Sequence, residues 1–124
     1  MAEGAKLTTE VVDCGGFPLV RVSGQVDLHN VHEFEKAMRT GIEREAKALI
    51  VDLTGISYLD SAGLSALVAA YKMLESRGAG LYIVASSDQP GVWRVLDVSR
   101  LNTFIPVHNT VDEVLNDLRV REAA

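Results

Sequence analysis

Apolar and polar positions divide this chain into short segments of two periods. Leu7–Val12 and Pro18–Val22 read as strands, joined by the turn signal Asp13-Cys14-Gly15-Gly16, with Gly24 closing the second. Ala48-Leu49-Ile50-Val51-Asp52-Leu53 is a nearly continuous apolar run, as expected of a strand covered on both faces. Leu81–Ala85 repeats that pattern, and Thr103-Phe104-Ile105 reads as a last strand cut off by Pro106.

Between these runs the period changes to that of helices. Val31, Phe34, Met38 and Ile42 form one apolar stripe, with Glu33, Glu35, Lys36 and Arg39 on the rest of the helix. Asp27 is its expected N-cap, with Asn30 as the second candidate. After a loop at Thr54-Gly55-Ile56-Ser57-Tyr58, a second helix runs from Ser61 to about Ser76, with Leu64, Leu67, Val68, Tyr71 and Leu74 inward and Gly78 and Gly80 ending it. Pro90 opens a short helix with Val92, Val95 and Leu96 inside. Thr110 caps a terminal helix that buries Val111, Val114, Leu115 and Leu118. The order β-β-α-β-α-β-α-β-α implies an α/β fold, with a mixed sheet of about five strands and about four helices: an opening hairpin, then parallel strands.

Composition narrows the function. The 124 residues are 48% hydrophobic and 23% charged, enough apolar material for one domain over 1–124, with a core at about 6–119 and frayed ends at 1–5 and about 120–124. The net charge of −5 and the absence of a basic run argue against a nucleic-acid partner. No apolar run approaches the ~18–20 residues of a membrane span, and the N-terminus lacks the apolar stretch of a signal peptide. A single cysteine, Cys14, excludes an internal disulfide and fits the reducing cytoplasm.

Candidate chemistry concentrates at Leu59-Asp60-Ser61-Ala62-Gly63-Leu64. Ser61 falls at a helix start, where unpaired N–H groups and the helix dipole favour negative charge. Its hydroxyl can cap the helix, or it can accept a phosphate. The small neighbours Ala62 and Gly63 are expected to leave it open to another protein. A serine hydrolase is disfavoured, because Asp-Ser-Ala-Gly is not a nucleophile elbow and nothing singles out His29, His32 or His108 as a base. His29 and His32 lack a marked third metal ligand, and an Asp27, Asp52 and Asp60 cation site is the weaker reading beside loop and cap roles for Asp60 and Asp27. Trp93 is expected to cover the sheet edge. No Walker-type run is present, so the chain is not expected to catalyse phosphoryl transfer itself.

Val51-Asp52-Leu53, followed by Tyr58-Leu59-Asp60-Ser61-Ala62-Gly63-Leu64, resembles the phosphorylation motif of bacterial anti-sigma factor antagonists, the STAS domains. Val22-Ser23-Gly24-Gln25-Val26-Asp27 is similar to the family's element before the first helix, and Leu96-Asp97-Val98-Ser99-Arg100-Leu101 to a later one, where Arg100 departs from the usual glycine. The resemblance implies a STAS-like domain without catalytic residue, metal or cofactor. Its unphosphorylated form would bind an anti-sigma factor serine kinase and free the sigma factor. Phosphorylation of Ser61 would end that binding, and a serine phosphatase would restore it. The implied partner surface comprises Asp27, Asp60, Ser61, Ala62, Gly63 and Leu64. The alternative implied role is an accessory or scaffold subunit, in a lipid-transport ABC system or a stressosome.

Overall fold

A computed structural model describes residues 6–123; the frayed segment expected at 1–5 and residue 124 lie outside them. Among the described residues the chain forms β1 (Thr8–Cys14), β2 (Phe17–Val26), α1 (Val31–Ile42), β3 (Ala48–Leu59), α2 (Ser61–Glu75), β4 (Gly80–Val84), α3 (Pro90–Val98), β5 (Val107–His108) and α4 (Val111–Ala123), with a 3₁₀ turn at Leu101–Thr103. The sheet order is β1-β2-β3-β4-β5. β1 and β2 are antiparallel, and every later neighbour is parallel. This is the mixed α/β sheet that the pattern predicts.

The hairpin closes on Gly15 and Gly16, at φ 60° and 90°, so Cys14 pairs with Phe17. Positive φ at both central positions matches the strand twist and is freely available to glycine. Helices α1, α2 and α3 cover one face of the sheet. Val20, Val22, Val51, Leu53 and Ile83 meet Phe34, Met38, Leu67, Leu74 and Leu96 there. The opposite face is covered by α4, where Val114 and Leu118 pack on Leu19, Ile50, Tyr82 and Val84. Burying each such large side chain contributes about 1.5–3 kcal/mol, so the two clusters account for the layering.

Several boundaries differ from the sequence pattern. β2 does not stop at Gly24; that residue adopts φ 106° within a bulged stretch, and the strand continues to Val26. β3 likewise runs through the expected loop at 54–58, because Ser23, Gly24, Gln25 and Val26 pair with Gly55, Ile56, Tyr58 and Leu59. The last strand is not 103–105 but Val107–His108. Leu101–Thr103 tightens into a 3₁₀ turn, and Pro106, instead of ending the strand, precedes it and accepts a hydrogen bond from Ile83 N–H through its carbonyl. At the other end α4 continues to Ala123, past the fraying expected at about 120.

Helix α2 is seated by its small residues. Its buried positions are Gly63, Ala66, Leu67, Ala70 and Leu74, whereas Leu64, Val68 and Tyr71 are only half-buried. The stripe is therefore rotated from the one the large side chains suggested, and the helix backbone lies close to the sheet.

Candidate functional site at the β3–α2 junction

Because β2 and β3 are parallel neighbours with Val26 paired to Leu59, the residues that follow each strand emerge side by side. Those residues are Asp27, which begins the link to α1, and Asp60, which begins α2. Such a carboxyl edge, where strands hand over to helix N-termini, is the usual place for a site in parallel sheets.

Asp60 is the N-cap of α2, in extended conformation at φ −101° and ψ −171°. Its Oδ1 accepts from the N–H groups of Ala62 at 2.9 Å and Gly63 at 3.2 Å. Its Oδ2 accepts from Leu28 N–H at 3.2 Å, and its own N–H donates to the Val26 carbonyl at 3.2 Å. One residue thus fixes the start of α2 to the end of β2 and to the segment beyond it.

The capping role offered to Ser61 is already filled by Asp60. Ser61 occupies the first helical position, is exposed, and its hydroxyl makes no hydrogen bond among the described residues. The imidazoles of His32 and His108 pair with Glu35 and Asp117, not with Ser61. Among the described residues no base is hydrogen-bonded to the Ser61 hydroxyl, the pairing by which a serine nucleophile is activated.

The remaining predicted residues separate into two groups. Asp27, half-buried, lies beside Asp60, but it is not the helix cap. Its Oδ1 accepts from His29 N–H at 2.9 Å and Asn30 N–H at 3.2 Å, closing the turn before α1. Asn30 holds the N-cap position, yet its side chain faces back, accepting from Asp27 N–H at 2.9 Å and donating to the Gln25 carbonyl at 2.8 Å. Ala62 is half-buried beside Ser61, and Leu64, also half-buried, packs on the main cluster. Gly63 is buried: a Cβ there would overlap Leu59 Cδ1 and stand 3.0 Å from Val26 Cγ1. Its smallness serves the close approach of α2 to the sheet, while Ser61 beside it is exposed.

Asp52 does not join Asp27 and Asp60. It is buried, accepts from Thr54 N–H at 2.9 Å and from the Thr54 hydroxyl at 2.6 Å, and stands 3.6 Å from Arg21 Nε. Trp93 donates its indole N–H to the Ala85 and Ser86 carbonyls at the end of β4, which holds α3 over that strand. Among the described residues no group of three or more His, Cys, Asp or Glu side chains is placed to hold a metal ion, and no helix is long and apolar enough to cross a membrane.

The pattern overlooked one residue of this edge. Leu28 is 70% exposed beside the Asp60 carboxylate. The available signal was a leucine between two polar residues, Asp27 and His29, outside every apolar stripe.

Residues 8–114 match the STAS domain. The chain belongs to the STAS domain family. Within it, this STAS domain is 30% identical over 93 residues to the anti-sigma-B factor antagonist of Listeria monocytogenes, covering 75% of this chain and 80% of that one. It is 27% identical over 106 residues to the anti-sigma F factor antagonist of Paenibacillus polymyxa, covering 85% and 89%. A solved anti-sigma factor antagonist from Mycobacterium paratuberculosis superposes with a TM-score of 0.84 at 30% identity, covering 92% of this chain and 95% of the other. The antagonist SpoIIAA, solved in unphosphorylated and phosphorylated forms, shares the fold with TM-scores of 0.74 and 0.66 at 20% and 18% identity. These relatives are named as regulators of sigma factor control, not as enzymes.

Proposed function

We propose that this STAS domain is an anti-sigma factor antagonist that acts in the cytoplasm and is switched by phosphorylation of Ser61. The relatives named above support the general role. The observation that carries the switch is the exposed Ser61 hydroxyl, without a hydrogen-bond partner among the described residues, beside a helix start that Asp60 already caps. In the unphosphorylated state, the edge formed by Asp27, Asp60, Ser61, Ala62 and Leu64 docks on an anti-sigma factor, which then releases its sigma factor. That partner is a serine kinase. The Ser61 Oγ attacks the γ-phosphorus of ATP bound by the kinase, ADP leaves, and the hydroxyl proton passes to a base of the kinase.

A phosphoserine adds about −1.5 to −2 charges and three acceptor oxygens. The α2 N-terminus offsets this by about 0.3–1 kcal/mol, while the adjacent Asp60 carboxylate opposes it. At a closed interface the same group brings unpaired charge and bulk. A hundredfold loss of affinity needs only about 2.8 kcal/mol, so no refolding is required. A serine phosphatase removes the group and resets the switch.

The test is a pair of variants measured against a cognate anti-sigma factor. Ser61→Ala should bind as the wild type does and take up no phosphate from ATP. Ser61→Asp should bind at least tenfold more weakly, and equal affinity for Ser61→Asp and wild type refutes the switch. Mass spectrometry of protein from its native cell should find the phosphate on Ser61.

A further inference from the structure

The segment Asp27–Asn30 uses its four backbone N–H groups unequally. Those of Asp27, His29 and Asn30 are all bonded within the segment, to the Asn30 amide oxygen and the Asp27 carboxylate. Only the Leu28 N–H crosses to another element, and its acceptor is Asp60 Oδ2 at 3.2 Å. Leu28 is 70% exposed, so its side chain is not held by packing. Its position depends on the backbone, and its tie to the α2 side of the edge is one carboxylate oxygen.

The other oxygen of that carboxylate caps α2 through Ala62 and Gly63. Those two N–H groups are the ones a phosphate on the neighbouring residue would seek, because first-turn amides of a helix bind anions. A dianion at Ser61 therefore competes with Asp60 Oδ1 for its donors and repels the whole carboxylate. Since Oδ1 and Oδ2 belong to one rigid planar group, a displacement at the cap is also a displacement at Leu28.

We propose that Asp60 is a positioning residue that carries the charge state of Ser61 to Leu28, so that phosphorylation releases the segment between β2 and α1 as well as adding charge at α2. The inference rests on Ser61 being the modified hydroxyl. It implies that an anti-sigma factor meets two features at once, an apolar side chain and a neutral hydroxyl, and that one modification alters both.

The experiment compares the protein carrying phosphoserine at position 61, introduced by genetic encoding, with the unmodified protein, reading amide hydrogen exchange by NMR. The Leu28 amide should exchange at least fivefold faster in the phosphoserine form, while the sheet amide of Val51 stays unchanged. A rise below fivefold at Leu28 overturns the coupling. Asp60→Ser keeps a single capping oxygen but is too short to reach Leu28. In that background the Leu28 amide should already exchange fast, with phosphoserine adding less than twofold; a fivefold increment there overturns Asp60 as the route. If Asp60→Ser does not fold, the comparison with Asp60 in place still decides. A faster Leu28 amide with undiminished anti-sigma factor binding sustains the coupling and sinks the switch. Lost binding with an unmoved Leu28 amide sustains the switch and sinks the coupling.

Discussion

Gly63 and Leu59 stand in a close-packed relationship across the β3–α2 junction: the helix backbone rests on the leucine so closely that a Cβ at position 63 would overlap its Cδ1. Alanine is the better helix former by about 0.5–1 kcal/mol, but overpacking a filled site costs about 1–3 kcal/mol. Packing wins. Gly63→Ala should lower the urea midpoint, with a net loss of about 1–2 kcal/mol, whereas Ser61→Ala should leave the midpoint unchanged.

The Asp60 cap gives a second expectation. Asp60→Ala removes the acceptor for Ala62, Gly63 and Leu28 at once. Loss of an N-cap costs about 0.5–2 kcal/mol, so denaturation should show a loss in the upper part of that range. Asp60→Asn should recover most of it, because asparagine caps as well as aspartate.

Asp52 is a different kind of acid. It is buried in the sheet, with both Thr54 donors on its Oδ1 and Arg21 Nε 3.6 Å from Oδ2. Asp52→Ala removes the acceptor of the Thr54 amide and hydroxyl and the carboxylate facing Arg21, but Thr54 and Arg21 are exposed and water can take its place. The net worth of such hydrogen bonds is about 0.5–1.5 kcal/mol each, and chemical denaturation should report a loss of about 1 kcal/mol. Phosphorylation of Ser61 should be unaffected in the folded fraction.

The fourth expectation concerns pH and α4. At Asp117 burial works to raise the carboxyl, but hydrogen bonds from His108 and Arg121, together with their charges, outweigh it and hold the group below its ordinary value of 3.8. The contacts are 3.0 Å from His108 Nε2 and 2.9 Å from Arg121 Nε. A carboxyl lowered by folding adds stability that is present above its unfolded value and disappears as pH falls through its folded value. Asp117→Asn should therefore be less stable than wild type at pH 7, and the gap should close as the pH falls below the ordinary carboxylate range. Thermal melts of both proteins from pH 7 downward check this; a gap that widens with acid contradicts it.

The parts of the fold that were legible in the sequence are those with one dominant period. Ala48–Leu53 is apolar because β3 is covered on both faces there, and Val31, Phe34, Met38 and Ile42 lie buried on α1 as their spacing implies. The rest of β3 was hidden because Thr54, Gly55, Ser57 and Tyr58 are exposed; their strand geometry comes from β2, not from their own pattern. The α2 stripe misled because large residues mark a buried face only where helix and sheet stand apart. Close approach assigns it to Gly63, Ala66 and Ala70 instead. At the site, Asp60 and Ser61 were visible through helix-start chemistry. Leu28 was not, since its place depends on a register between distant strands.

The short last strand has a consequence for how copies of this chain can meet. β5 pairs with β4 at only two positions, so that border of the sheet offers a further chain very little strand to pair with. The seven-residue β1 on the opposite border, with Thr8, Thr9 and Glu10 exposed, is the longer edge that another backbone could zip onto. A homodimer built by sheet extension would thus be head-to-head through β1 and finite, unable to propagate into a fibre.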